Sequence, residues 1–167
     1  MATLIDSTYF HTEVFIPNIS DSNAVETARA SELQRFIDRY ELEYLDLVMG
    51  YDMRVEFLAG LEEDSILQKW NDLKAELIDD TLLLSPIADY VYFHYIRYNV
   101  TRTTSSGEVV ALVDNGTLTG SNFKQVTAHN RAIEQALLIR NFIEEHSTDY
   151  PNYDGSYSLG YVNELNI

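Results

Sequence analysis

Leu33, Phe36, Ile37, Tyr40, Tyr44, Leu47 and Val48 recur at steps of three and four residues, the period of a long amphipathic helix with one apolar stripe. The opposite face is charged, with Glu32, Arg35, Asp38, Arg39, Glu43 and Asp46. Ser20-Asp21-Ser22-Asn23 supplies capping side chains ahead of this run, and Gly50 stands behind it as a C′ residue. The same period returns twice. Met53, Phe57 and Leu61 mark a shorter helix from about Asp52 to Leu61, and Ile66, Leu67, Trp70, Leu73 and Leu77 mark a third after Glu63-Asp64. Apolar stripes on several helices must cover one another, so the expected fold is mainly α, a bundle of about four to five helices.

Ser85-Pro86 is a helix start, because proline in the first turn lacks only an N–H that would be unpaired anyway. The following run, Ile87 to Val100, carries Tyr90, Tyr92, Phe93, Tyr95 and Tyr98 and is apolar or aromatic all round, as the central helix of a bundle is. The pattern then changes. Thr101 to Gly107 reads as a polar loop, Glu108 to Asp114 as a β-branched strand, and Asn115-Gly116 as a type I′ turn. Thr117-Leu118-Thr119 would return as a second strand, giving a small β-hairpin insertion at about 108–119. Gly120-Ser121-Asn122 caps a last helix in which Phe123, Val126, Ile133, Leu137, Ile139 and Ile143 are expected inside.

The ends differ from this core. Residues 1–19 hold Phe10, Val14, Phe15, Ile16 and Pro17 without helical period and read as an extended N-terminal arm. Residues 150–167 contain four tyrosines, Pro151, Gly155 and Gly160, with no lysine or arginine. Such a tail is too aromatic to float and is expected to adhere, to its own body or to a neighbour. The domain organisation is then an arm at 1–19, a bundle at 20–149 and an extended tyrosine-rich tail at 150–167.

Charge narrows the function. The net charge is −16, from 27 acidic and 11 basic side chains, and residues 1–80 alone hold 18 acidic against 6 basic. So few cations cannot neutralise a row of phosphates, which disfavours nucleic acid as a gripped ligand. The acidity is either a solvated surface kept apart by self-repulsion, or a wall that lies beside DNA without sticking to it. With no cysteine, disulfides, thiolate catalysis and cysteine metal sites are excluded. Asp79-Asp80 interrupts the longest apolar candidate, so no membrane span is expected, and the N-terminus lacks the basic and apolar regions of a signal peptide.

The glycines form no phosphate loop, and there is no His-Glu-x-x-His, no calcium loop and no Gly-x-Ser-x-Gly elbow. His94, among aromatics, reads as a packed core histidine, and His129 could face Glu134 or a partner. His146 sits at a helix C-terminus, where the dipole favours a partly cationic ring, and His11 lies in the arm. Glu62-Glu63-Asp64, Asp79-Asp80 and Glu144-Glu145 lie at helix ends or in loops, where adjacent carboxylates do not converge. An enzyme would need a pocket with convergent polar groups, around His94 and Asp89 if anywhere. No enzyme, cofactor or metal site is therefore expected.

The order of features does resemble a known family. An acidic helical hairpin leads to Ser85-Pro-Ile-Ala-Asp-Tyr-Val-Tyr-Phe-His-Tyr95, then Thr103-Thr-Ser-Ser-Gly107, a short β segment, a helix with Lys124 and Asn130, and finally Tyr150-Pro-Asn-Tyr153. From about Ser31 to Tyr153 this is similar to the head–tail connector (portal adaptor, head-completion) proteins of tailed bacteriophages, in particular the Bacteroides-phage type. His129 stands where some relatives carry tryptophan. The resemblance implies a structural virion protein of the neck, assembled in the host cytoplasm, forming a twelve-fold homo-oligomeric ring beneath the portal protein and contacting other neck and tail proteins. Double-stranded DNA would pass through its acidic channel without specific binding. A heterologous ring needs two unlike faces per subunit. Candidate interface residues are Tyr150, Pro151, Tyr153, Tyr157, Tyr161 and Leu165 in the tail, Val109, Val110 and Leu112 in the hairpin, and Phe10 and Phe15 in the arm. The alternative is another neck or tail-completion factor, or an acidic DNA mimic that occupies a basic partner.

Overall fold

The computed structural model describes residues 3–19, 22–104, 107–110 and 121–163. The protein is mainly helical, with α1 (Ala24–Met49), α2 (Tyr51–Leu61), α3 (Gln68–Leu77), α4 (Pro86–Val100) and α5 (Ser121–Glu145). Two short strands, β1 (Thr101–Thr104) and β2 (Gly107–Val110), pair antiparallel with Thr101 opposite Val110 and Thr104 opposite Gly107. Thr101 to Thr104 is thus strand, not the expected loop, and β2 begins one residue before Glu108. The expected turn at Asn115-Gly116 and return strand at Thr117–Thr119 lie outside the described residues.

The helix ends form where the capping chemistry puts them. Asn23 accepts the N–H groups of Val25 and Glu26 at 3.1 Å each and starts α1. Gly50 closes it, donating its N–H to the Asp46 carbonyl from the left-handed side of φ (81°). A side chain there would also meet Asp154 Cβ at 2.8 Å, so this one glycine serves the α1–α2 corner and the docking of the tail. Ser85 Oγ accepts the Ile87 N–H at 3.1 Å and donates to the Leu77 carbonyl at 2.9 Å, tying the start of α4 to the end of α3.

The centre is three helices. The neighbours of α1 show that α4 runs antiparallel to it: Tyr90 lies beside Tyr44, and Tyr95 and Tyr98 lie beside Phe36. By the same reasoning α5 runs parallel to α1, since the Tyr44 hydroxyl reaches the Ala132 carbonyl at 2.9 Å and Arg140 reaches the Leu47 carbonyl. The buried line on α5 is Gln125, Ala128, Ala132, Ala136, Ile139 and Ile143. Ile133, Ile139 and Ile143 are inside as expected, but alanines at four-residue steps let the helix backbones approach closely and displace two other bulky residues expected there. Phe123 is 62% exposed and Leu137 41% exposed. In α3, Trp70, Leu73 and Leu77 are buried as expected, but Ile66 and Leu67 precede the first helical residue and are exposed. Trp70 packs on Phe57 and occupies the space that a Gly60 side chain would need, 2.2 Å from its indole nitrogen.

The N-terminal segment is not an arm reaching outward. Ile5, Tyr9, Phe10, Val14, Ile16 and Ile19 are buried in the same core as the helices, with a turn of 3-10 helix at Ser7–Phe10. No helix among the described residues is long and apolar enough to cross a membrane.

Candidate functional site

Several polar side chains fasten the two terminal segments to the bundle. Glu41 stands on the apolar line of α1, between Ile37 and Tyr44, and both its oxygens accept the Leu4 N–H at 3.0 Å; one also accepts the Ile5 N–H at 3.2 Å. Burial raises the Glu41 pKa to about 7, against the pull of these amide bonds. Tyr9 adds a hydroxyl bond to Asp80 at 2.6 Å.

The tail is fastened on the other side. Tyr150 is buried against Trp70 and Phe142 and donates to the Lys69 carbonyl at 2.7 Å. Arg140 donates to the carbonyls of Leu47, Gly155 and Tyr157. Asn130 exchanges two bonds of 3.0 Å with the backbone of Val162. The tail therefore adheres to its own body.

The interface candidates separate accordingly. Phe10 and Tyr150 are buried inside the chain, which corrects their reading as contact residues: the core needed their apolar area. Tyr153 is half-buried, its hydroxyl 3.3 Å from a Glu144 oxygen, and Pro151 is exposed in a turn. Phe15, Tyr157 and Tyr161 are exposed. Val109 and Val110 lie in β2. Leu112 and Leu165 lie outside the described residues.

Asp89 and His94, named as the place to look for a pocket, belong to different environments. Asp89, on the buried side of α4, receives both a 2.5 Å bond from Arg131 Nε and a second from Nη2, while Nη1 reaches Glu13. Burial pushes Asp89 up, and the Arg131 fork pulls against it. This node lies on a cleft of about 390 Å³ between the N-terminal segment and the α3–α4 corner. Its guanidinium is committed to carboxylates of its own chain. His94 stacks on Tyr40 with ring centroids 4.0 Å apart. His129 faces inward between Phe93 and Tyr90, not toward Glu134, because α5 turns its alanine line into the core. His94 Nε2, His129 Nδ1 and Gln125 Oε1 are buried with no hydrogen-bond partner among the described residues. Burial and the neighbouring His129, Arg97 and Arg39 lower His94 to about 4, so at neutral pH it is a neutral packing group. His146 bonds back to the Phe142 carbonyl through Nδ1 at 2.8 Å. No cluster of three or more His, Asp or Glu able to hold a metal occurs among the described residues.

Helical periodicity alone missed Glu41, Arg131 and Arg140 as fastening groups. The signal for Glu41 was present: a carboxylate on an apolar stripe needs a dedicated partner. Comparison with known proteins found no matching family model, no matching curated protein and no matching solved structure.

Proposed function

We propose that this chain is a non-enzymatic structural protein of the virion neck, a head–tail connector subunit. In this reading it assembles with copies of itself into a ring under the portal protein, touches other neck and tail proteins, and lets double-stranded DNA pass along an acidic wall. The observation that carries the reading is the disposition of charge. Among the described residues, Glu41 and Asp89 are the buried carboxylates, and the rest of the acidic charge stays on the surface. Arg54, Arg131 and Arg140 are instead drawn inward, onto Asp46, onto Asp89 and Glu13, and onto backbone carbonyls. A surface of this kind repels phosphates at close range while leaving aromatic and aliphatic side chains free for protein contacts.

Mixing the chain with a portal assembly of the same genome and imaging the complex by electron microscopy tests this. Rings coaxial with the portal, and no retardation of duplex DNA by the free chain at low salt, are the expected results. A chain that ignores the portal and instead forms a tight one-to-one complex with a basic nucleic-acid enzyme would replace this reading with the acidic-mimic one.

A further inference from the structure

The distribution of arginine on α1 is uneven. Arg35 and Arg39 are exposed, and neither has an ion pair among the described residues. They flank a groove of about 380 Å³ between α1 and the end of α4, lined also by Glu32, Phe36, Tyr40 and Tyr98. Its floor is aromatic. Phe36 stacks on Tyr40 at 5.6 Å and meets Tyr98 at 5.3 Å, and Tyr98 is itself 60% exposed. The Arg39 guanidinium lies 5.1 Å from the Tyr40 ring centre. In a chain of net charge −16, this is a cationic rim around an apolar floor.

The complementary surface is on the same chain. Between α2 and α3, Glu62, Glu63 and Asp64 are exposed without an ion pair among the described residues. After Ser65 come Ile66 and Leu67, 38% and 54% exposed. Three carboxylates followed by two aliphatic side chains match two guanidinium groups beside aromatic rings, charge to charge and apolar to apolar. The two surfaces cannot meet within one chain. The groove lies about the middle of α1, beside the end of α4. The turn precedes Trp70, which packs on Tyr150 beyond the end of α5, at the other end of the bundle.

We infer that the groove of one copy, between α1 and α4, receives the acidic α2–α3 turn of a second copy. The contact is heterologous, with unlike surfaces at opposite ends of each subunit, so it propagates from copy to copy and closes only if the rotation allows. It also selects register, because elsewhere two such acidic surfaces repel. The inference rests on the self-assembling reading above and supplies the subunit contact for it.

Charge reversal with the full chain tests it, with association followed by light scattering, both alone and on portal assemblies. R35E/R39E should lower self-association at least tenfold, and E62K/E63K/D64K should do the same. All five positions are exposed, and circular dichroism should show the wild-type fold. An equimolar mixture of the two variants should recover association, because each reversed surface then finds its reversed partner and each native surface its native one. Wild-type association of R35E/R39E, or no recovery on mixing, overturns the contact. If self-assembly on the portal persists in that case, the connector reading stands without this groove. If the wild-type chain stays single at every concentration and on the portal, both fall.

Discussion

Glu41 and Leu4 are joined by a carboxylate that lies on the core line of α1 and accepts one amide of the N-terminal segment with both oxygens, each at 3.0 Å. The group is charged only at a cost, since burial outweighs the amide bonds and its pKa stands at about 7 in the fold against 4.5 for the free side chain. A raised carboxyl pKa means that the native state binds the proton more tightly than the unfolded chain. Its contribution is fully present below about pH 4.5 and is lost as pH rises through 7.

Glu41→Gln should therefore flatten the pH dependence of stability between about pH 5 and 8. The carboxylate form destabilises by up to about 3 kcal/mol at pH 8, from a shift of this size. The amide keeps an acceptor for the Leu4 and Ile5 N–H groups without a charge. Urea unfolding of both proteins at pH 5 and pH 8 measures the difference, and an equal pH slope in the two would contradict it.

His94 acts with the opposite sign. Its pKa is lowered to about 4 from 6.5, so the folded state resists protonation and loses stability as pH falls from 6.5 toward 4. His94→Phe keeps a ring to stack on Tyr40 and removes the titration. Relative to this variant, the wild type should lose about 1–2 kcal/mol between pH 6.5 and 4.5, a figure reduced for the partial exposure of the ring. Thermal melts across that range read it out.

Removing Arg131 should cost more than removing the charge it serves. Arg131→Met leaves the Asp89 carboxylate buried without a cation and should destabilise by about 3 kcal/mol. Asp89→Asn leaves a guanidinium that still has Glu13 and water, and should cost less. The double variant should fall well short of the sum, because the pair is coupled. A double-mutant cycle in urea checks all three.

Arg140→Met should release the tail without unfolding the bundle. Arg140 is bonded to Gly155 and Tyr157, and Asn130 then holds the chain at Val162 alone. Tyr150 stays anchored by Trp70. Limited proteolysis should cut within 155–163 at least tenfold faster than in the wild type, with the melting temperature lowered by only a few degrees. Cleavage before Tyr150 instead would show that the tail and bundle are one cooperative unit.

Much of the fold is written in local pattern. The stripe from Leu33 to Val48, the capping Asn23, the stop at Gly50 and the Ser85-Pro86 start all act through neighbours in sequence, so the helices and their ends can be read there. The reading of α5 held for Ile133, Ile139 and Ile143 and failed for Phe123 and Leu137, for an equally local reason. Side-chain size alone does not mark burial there, because a close helix crossing requires the small Ala128, Ala132 and Ala136.

What the sequence by itself determined is an acidic chain of amphipathic helices with adhesive ends. Charge, period and caps are properties of short segments and need no third dimension. Only the tertiary structure decided where those ends go, because their partners are far away in the chain: Leu4 with Glu41, Tyr9 with Asp80, and Val162 with Asn130. It also turned His129 inward and set Arg35 and Arg39 beside Tyr98. Burial removes water from a polar group and leaves it dependent on whichever distant residue the packing delivers, and no local period encodes that residue.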